Sequence, residues 1–329
     1  MRAANAICYE RVSIVTLPFG IEFVRQRPIG PGEPVVLCLC KNEEYYLDSL
    51  LKHYRDLGFA HFVFLDNGST DRTRQILSSM DDVTLLTSTW PFGSYQHKFR
   101  QTLISHFGDN RWSLIVDADE FFVFPCSSTI SLERFLLYLD DHKYNAVFTP
   151  LLDMFSANVL MNNDENHRTK FDASEYPLCS VETIRMPALH NKILTKMNRA
   201  FFRYRGGIRE YLFGVSCALH KFSLTRTKDR RALYRTPHNV DLIRSNVADV
   251  SAVLLHYKFT HDFGRKIRSA ISEKQYYKSS EEYKRYGDIV FGNVDIKSNM
   301  PAFRYDGIDD LRARGFGFVS DTFLDYVAT

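Results

Sequence analysis

The chain has 329 residues, of which 45% are hydrophobic and 25% charged, and its formal net charge is only +3. These totals are typical of a globular protein with one large or two ordinary domains. They exclude a strongly basic protein whose overall charge would demand a nucleic-acid partner. Aromatic residues make up 14% of the chain, which favours an aromatic-rich interior or cleft.

The cysteines and the N-terminal residues bear on the cellular compartment. The 6 cysteines include no CxxC pair and no Cys/His spacing of a zinc site, which favours a reducing environment. Charged residues such as Arg2 and Arg11 interrupt the N-terminus, so we expect no signal peptide. No run reaches the roughly 20 apolar residues of a membrane span. We therefore expect a cytoplasmic protein, with association at the inner face of the membrane or a cleaved anchor left open.

Strand and helix patterns alternate through the first part of the chain. A lead-in rich in Pro and Gly, residues 1–33, includes an edge strand predicted at 12–17. Apolar runs and helical spacing then predict strands at 34–40, 61–65, 83–86 and 114–116, separated by helices at 45–57, 72–80 and 97–107. Such alternation with short connections is the pattern of a parallel, doubly wound α/β sheet.

Polar clusters follow three of these strands: KNEE at 41–44, DNGSTD at 66–71 and DADE at 117–120. Right-handed crossovers bring the carboxyl ends of such strands to one rim, where ligands bind in open α/β sheets. Asp117 and Asp119 would point the same way in an extended segment. Two such carboxylates suit Mg²⁺ or Mn²⁺ carrying phosphate oxygens, although a turn with solvated acids is the simpler alternative. Neither GxGxxG nor a P-loop follows the first strand.

The second part of the chain is less regular. The pattern predicts a helix at 131–139, a strand at 146–152 ending in Asp153, and a long polar loop at 158–176. A basic stretch at 192–235 contains Gly206 and Gly207, which mark a tight turn. A strand at 253–259 contains His256, and an amphipathic helix is predicted at 262–286.

Several motifs together resemble those of a known family. An NE pair after an apolar strand, then LDNGSTD, then VDADEFF, resemble the motifs of nucleotide-sugar-dependent glycosyltransferases of the GT-A fold, family 2 type. LLDMF, RGGIREYLFG, LHKFSL and LLHYKFTHDF resemble the subgroup found in bacterial polysaccharide gene clusters. The resemblance covers residues 34–286. It implies a GT-A fold, which is a Rossmann-like nucleotide-sugar-binding sheet with helices on both faces, plus a C-terminal helical, acceptor-side region.

The same resemblance implies a division of the chain and a set of roles. After the lead-in at 1–33, residues 34–150 would form the nucleotide-sugar-binding half and 151–262 the acceptor-side half of one domain, with a helical extension at 263–329. An Mn²⁺ or Mg²⁺ ion would neutralise the departing diphosphate. The implied nucleotide-sugar-binding residues are Glu43, Asp66 and Asp117, and the implied metal ligands are Asp117, Asp119 and His256. The basic residues after Lys192 would bind the diphosphate or an anionic acceptor, and of these we favour Arg209 and, as a lesser choice, Lys258.

Each of these roles has a structural alternative. His256 is as readily a hydrogen-bonded core residue as a ligand, and His238 and His261 are weaker candidates. Asp66 can cap a turn, and the basic stretch can be a solvated face. Gly206 and Gly207 would let a ligand approach Arg209 closely.

Family 2 enzymes invert the anomeric centre, which requires a general base near the acceptor hydroxyl. Two carboxylates fit this role, Asp153 at a strand end and Glu210 in GGIREYLFG, and of the two we favour Asp153. The family's common ED pair is not found, and Asp153 can instead pair with nearby arginines.

The sequence thus favours a metal-dependent inverting glycosyltransferase that uses a nucleoside-diphosphate sugar, preferably a UDP-sugar. Its acceptor would be a glycan, a polysaccharide or a lipid-linked molecule, with no nucleic acid and with peripheral membrane association open. One rival is a sugar nucleotidyltransferase, against which KNEEYYL counts because it lacks a Gly-rich basic loop. Another is a non-catalytic GT-A-fold protein that binds glycans or a partner, against which the DxD pair counts. A basic nucleic-acid binder would rest on residues 192–235 alone.

Overall fold

The computed structural model describes residues 17–156, 169–185, 192–194, 200–202, 204–231, 233–236, 238–241, 243–274, 277–292 and 301–329. The edge strand predicted at 12–17 lies outside these residues apart from Leu17, as does most of the loop predicted at 158–176.

Strands and helices alternate over residues 35–116 of the described chain. The strands are β1 Glu22–Arg25, β2 Val35–Cys40, β3 His61–Asp66, β4 Val83–Thr87, β5 Trp112–Val116, β6 Glu120–Val123, β7 Ala146–Asp153, β8 Leu178–Cys179, β9 Ile184–Arg185, β10 Lys192–Leu194, β11 Ala200–Phe202, β12 Arg205–Gly206, β13 His220–Arg226, β14 Tyr234–Thr236, β15 Asn239–Val240, β16 Val253–His256 and β17 Phe303–Arg304. The helices are α1 Glu44–Leu57, α2 Thr73–Ser79, α3 Phe92–Phe107, α4 Leu132–Asp141, α5 Gly207–Phe213, α6 Phe263–Glu273, α7 Tyr277–Val290, α8 Ile308–Ala313 and α9 Asp321–Ala328, with a 3₁₀ turn at Ala173–Glu175.

The central sheet is mixed, with the order β1-β4-β3-β2-β5-β13-β7-β16-β6. Strands β4, β3, β2 and β5 are mutually parallel, as the sequence predicted for this part of the chain. Strand β13 is antiparallel to both β5 and β7, whereas β16 is parallel to β7 and antiparallel to β6. The order of the four parallel strands reverses between β2 and β5, which makes that point the expected ligand crevice.

Helices cover both faces of the parallel part of the sheet. Val36 and Cys38 of β2 pack in one apolar cluster, with α1, whereas Val35 and Leu37 pack in a second cluster, with α3. All of β2 is therefore buried, because successive side chains point to opposite faces and both faces are covered. The fold is α/β, with a large mixed sheet between helices in the manner of Rossmann-like folds.

The sheet also curls back on itself. Only residues 117–119 separate β5 from β6, although four strand spacings separate these strands in the sheet order. In a flat sheet those spacings would amount to roughly 19 Å, whereas the connection spans at most about 14 Å. The curl therefore brings the end of β5 close to the ends of β7 and β16.

Two helices differ from the sequence prediction. Helix α3 begins at Phe92, five residues before the predicted start, because Phe92 and Tyr95 pack against the α3-side cluster. The helix predicted at 262–286 is interrupted at Lys274, which has a left-handed φ of 52° and ends α6. Within the described residues, no helix combines the length and the apolar character that crossing a bilayer requires.

Candidate active site

A cavity of about 650 Å³ opens at the carboxyl ends of β2 and β5. It lies at the reversal of strand order, where α/β proteins bind their ligands. The loop after β2, the loop after β5, and helices α6 and α7 supply its walls. Its charged lining consists of Lys41, Arg100, Arg209, Lys221, Lys258, Arg265, Lys266, Arg285, Glu43, Asp117, Asp119, Glu120, Glu273, Glu281 and Glu282.

The DADE segment is a turn and not an extended strand. The Glu120 amide donates to the Asp117 carbonyl at 3.1 Å, and the Asp117 amide donates to the Glu120 carboxylate at 3.1 Å. The expectation that Asp117 and Asp119 point the same way is therefore wrong, because the chain reverses between β5 and β6. Each aspartate has its own set of partners.

Asp117 is held by two cations. Its Oδ1 accepts from Arg100 at 2.6 Å, and its Oδ2 accepts from Lys221 at 3.0 Å. Lys221 also pairs with the buried carboxylate of Glu120. Burial opposes ionisation of Asp117, but Lys221 and Arg100 outweigh it and hold its pKa well below the usual value. Both Asp117 oxygens therefore face protein cations, the reverse of what the expected metal-ligand role requires.

Asp119 faces a different group of residues. Its Oδ2 lies 3.6 Å from His256 Nε2 and 3.7 Å from Lys266 Nζ. Burial alone would raise the pKa of Asp119, but Lys266 and His256 outweigh this effect and hold the pKa well below its usual value. Lys266 Nζ also lies 3.0 Å from Glu43 Oε2. Burial outweighs the effect of this lysine and raises the pKa of the Glu43 carboxyl to about 7. Glu43 and Asp119 thus share one lysine on the cavity wall.

Behind His256 lies a buried group formed with Asp153 and Arg209. Strand register places His256 beside Asp153, and His256 Nδ1 lies 2.5 Å from Asp153 Oδ1. Arg209 donates from Nε to Oδ2 at 2.8 Å and from Nη2 to Oδ1 at 2.6 Å. Asp153 does not line the cavity, and neither does the neighbouring Glu210 on α5. This placement argues against the general-base role that we expected for either carboxylate.

The two glycines before Arg209 serve helix packing. Gly206 and Gly207 have φ values of 92° and 71°, and α5 begins at Gly207. A Cβ added at Gly207 would come within 2.8 Å of Leu219 Cδ1. Gly207 therefore allows close packing against Leu219, and Arg209, two residues further on, pairs with Asp153.

The DNGSTD segment lies outside the cavity lining and forms hydrogen bonds to Asn42 in the loop after β2, which does line the cavity. Asp66 is buried and outside the cavity lining, and its Oδ1 accepts from the Ser69 amide at 3.1 Å. Ser69 Oγ accepts from the Asn42 amide at 2.9 Å, and Asn42 Oδ1 accepts from the Thr70 amide at 2.7 Å. Asp66 thus occupies the turn role that was its alternative, and the segment positions the loop that carries Glu43.

Lys258 lines the same cavity, two residues after the end of β16, the strand that carries His256. Its Nζ lies 3.0 Å from Glu282 and within 4.8 Å of the Tyr283 ring centroid. Lys258 lowers the pKa of Glu282 to about 2, although burial by itself would raise it. Lys258 therefore joins α7 to the cavity.

The remaining histidine candidates have other partners. His238 lines the cavity, but its Nδ1 lies 2.7 Å from the carbonyl oxygen of His220. His261 lies outside the lining, with its Nε2 3.8 Å from Glu175. Of the histidines considered from the sequence, His256 is the one that approaches Asp119.

Sequence reasoning singled out none of three cations of the site, since it did not consider Arg100 or Lys266 and counted Lys221 only as part of the basic stretch at 192–235. Arg100 follows Phe99 on the buried face of α3, Lys221 lies in the mostly buried β13, and Lys266 lies near the start of α6. A charged residue on an otherwise buried face is the available signal, because such a charge requires a partner.

The residues present fit part of a divalent-cation site. Across the described ranges, no three His, Cys, Asp or Glu side chains converge as ligands of one ion. Asp119 Oδ2 and His256 Nε2 do converge, and the other ring nitrogen of His256 lies against a carboxylate, as in metal-bound histidines. Mg²⁺ commonly takes few protein ligands and completes its shell with substrate phosphates. Asp119 and His256 therefore fit a site that the substrate completes.

Comparisons with known proteins give little similarity. No protein-family model matches the sequence, and the search of curated proteins found no match. Among solved structures, HddC from Yersinia pseudotuberculosis is similar at 8% identity over 70% of this chain and 96% of its own, with a TM-score of 0.34. UDP-glucose pyrophosphorylase from Acinetobacter baumanii is similar at 7% identity over 83% of this chain and 88% of its own, with a TM-score of 0.26. These TM-scores are too low to support a conclusion about this chain.

Proposed function

We propose that this protein is a metal-dependent inverting glycosyltransferase of the GT-A type. It would transfer a sugar from a nucleoside-diphosphate sugar, preferably a UDP-sugar, to a glycan, polysaccharide or lipid-linked acceptor. The observation that carries the proposal is the convergence of Asp119 and His256 in a charged cavity at the switch point of the sheet. The DADE turn and the NE pair, on which the family resemblance rests, both line that cavity.

The charges of the lining support a diphosphate ligand together with a cation. Eight Lys and Arg side chains and seven Asp and Glu side chains line the cavity within the described residues. The side chains nearly balance one another, so a bound diphosphate would leave an excess of negative charge. A bound Mn²⁺ or Mg²⁺ would supply the missing positive charge and act as a Lewis acid on the leaving group.

The residues around the turn can bind and orient the donor. Lys221 and Lys266 lie beside Asp117 and Asp119, where their ammonium groups can approach diphosphate oxygens. Glu43 can accept hydrogen bonds from a nucleoside or ribose hydroxyl, as the resemblance implies. Asp66 is left out of this proposal because its carboxylate belongs to a turn. The general base is left unassigned because neither Asp153 nor Glu210 lines the cavity.

Donor hydrolysis tests this function. We would measure UDP release from a panel of UDP-sugars with Mn²⁺ or with EDTA, for wild type, Asp119→Asn and Asp249→Asn. Asp249 is a suitable control because it is a buried carboxylate that accepts from Tyr138 and Ser320, outside the cavity lining. We expect slow hydrolysis that EDTA and Asp119→Asn abolish and that Asp249→Asn retains.

The other outcomes identify the rival functions. Consumption of a nucleoside triphosphate with a sugar phosphate, and no donor hydrolysis, would indicate a nucleotidyltransferase. UDP binding without turnover on any donor would indicate a non-catalytic binding protein. Donor hydrolysis that resists EDTA would contradict the metal requirement.

A further inference from the structure

Asp153 is a buried carboxylate with partners on two sides. Its side chain is only 2% exposed, and both of its oxygens accept hydrogen bonds from Arg209. One of them, Oδ1, also lies 2.5 Å from His256 Nδ1. The opposite nitrogen of that ring, Nε2, faces Asp119 across 3.6 Å on the cavity side. His256 therefore lies between a buried carboxylate and a cavity carboxylate.

Two contacts of Nδ1, one with Asp153 and one with Arg209, bear on where the ring carries its proton. A proton on Nδ1 makes the 2.5 Å contact a charge-assisted hydrogen bond. Without it, two lone pairs would face each other at that distance, whereas with it Nδ1 and Arg209 Nη2, 2.7 Å apart, are both donors. Arg209 Nη2 lies 2.7 Å from the same nitrogen, so an Nδ1 that accepts from Arg209 is the alternative. That alternative would place the proton on Nε2, where its acceptor is 3.6 Å away.

We propose that Asp153 and Arg209 are positioning residues, which hold the His256 ring with a proton on Nδ1 and would present its Nε2 to a cation held by Asp119. This proposal rests on the proposed function, because it assumes the cation. It replaces the base role that the sequence suggested for Asp153. Carboxylate partners of this kind fix the tautomer and the ring orientation of metal-binding histidines.

Arg209 contributes geometry as well as charge. Its guanidinium is permanently charged and its two parallel donors match the two oxygens of Asp153, so the carboxylate plane is fixed. The pair also leaves no buried charge without a partner. Because α5 begins two residues earlier at Gly207, the helix start determines the direction from which Arg209 approaches.

The tautomer can be measured without metal and without activity. We would label histidines with ¹⁵N and record ring nitrogen shifts of the metal-free protein at alkaline pH, where the imidazole is neutral. The signals of His256 among the 11 histidines are those missing in His256→Gln. We expect a protonated Nδ1 and an unprotonated Nε2 in wild type, and a mixture of tautomers when Asp153 is removed. A wild-type ring protonated on Nε2 would overturn the proposal.

Metal affinity gives a second readout. We would titrate Mn²⁺ in the presence of UDP and follow free Mn²⁺ by electron paramagnetic resonance. Loss of an outer-shell partner typically weakens metal binding about 10- to 100-fold, and we expect that range for Asp153→Asn. Asp153→Asn leaves Arg209 buried without its partner and can unfold, so Asp153→Asn/Arg209→Gln is measured beside it, since it removes both charges. Asp249→Asn is the control and should bind Mn²⁺ as wild type does.

The results separate this proposal from the proposed function. A folded Asp153 variant with wild-type tautomer and wild-type Mn²⁺ affinity would overturn the positioning role and leave the glycosyltransferase proposal standing. A wild type that shows the expected tautomer but binds no Mn²⁺ with UDP would overturn the metal part of both. The proposal is supported when the tautomer and the affinity change together.

Discussion

At the scale of single residues, the site is defined by how each buried charge is paired. Lys221 lies between Asp117 and Glu120, and Lys266 lies between Glu43 and Asp119. Each lysine thus lies between two carboxylates that would otherwise repel one another more strongly. The consequences can be tested one lysine at a time.

Replacing Lys221 by Met should destabilise the protein by about 3 kcal/mol, because the Glu120 carboxylate, which is 2% exposed, would lose its cation. Denaturant unfolding followed by circular dichroism measures this change. Lys221→Arg keeps the charge and should cost much less. Lys221→Met/Glu120→Gln should recover part of the loss, and a double variant no more stable than Lys221→Met would contradict this pairing.

The raised pKa of Glu43 predicts a specific pH dependence of stability. Its pKa is about 7 in the folded protein against a usual value of 4.5, so the folded state binds the proton more tightly. Its contribution to stability is therefore complete below about pH 4.5 and is lost as the pH rises through 7. The free energy of unfolding of Glu43→Gln, measured from pH 5 to pH 8, should fall less than that of wild type. Parallel curves for the two proteins would show that Glu43 does not titrate in this window.

At the scale of secondary structure, the site depends on where elements begin and end. Helices α6 and α7 both line the cavity, and the chain turns between them at Lys274. The sequence suggested one helix here because its apolar spacing is nearly continuous. A left-handed residue ends the first helix, and spacing alone does not reveal it.

Lys274→Gly should stabilise the protein by roughly 0.5 to 1 kcal/mol, because a left-handed φ strains any residue with a Cβ. The gain is less than the full strain energy because glycine also makes the unfolded chain more flexible. Thermal unfolding measures the shift, and Lys274→Ala, which keeps the Cβ, is the matched control. A loss of stability in Lys274→Gly would show that this position is not left-handed in solution.

At the scale of the whole molecule, the C-terminal helices belong to the same core as the sheet. Phe323 of α9 is fully buried, and its ring centroid lies 5.0 Å from that of Tyr138 and 5.9 Å from that of Phe135 on α4. Helix α9 therefore packs on α4, in the same apolar core as the central sheet.

Phe323→Ala should therefore cost about 3 to 5 kcal/mol of stability, the usual loss for a buried phenylalanine. The neighbouring Leu324 is 36% exposed, so Leu324→Ala is the matched control and should change stability little. Denaturant unfolding measures both. Equal effects of the two variants would mean that α9 does not pack on α4 as described.

The sequence by itself determined the parts that depend on local pattern. The strands β2 to β5, their parallel direction and the position of the polar clusters at their ends follow from apolar runs and short connections. The motifs KNEE and DADE were correctly expected at one rim, because the carboxyl ends of parallel strands meet there.

Only the tertiary structure decided which side chains meet. The DADE turn sends Asp117 toward Arg100 and Lys221 and sends Asp119 toward His256, and the register of β7 with β16 places Asp153 behind that histidine. These partners come from strands and helices far apart in the chain, and local spacing carries no information about their contacts. Pairing of buried charges is settled only when the whole sheet has formed, which is why local spacing could not show that Asp117 faces two cations or that Asp153 lies outside the cavity lining.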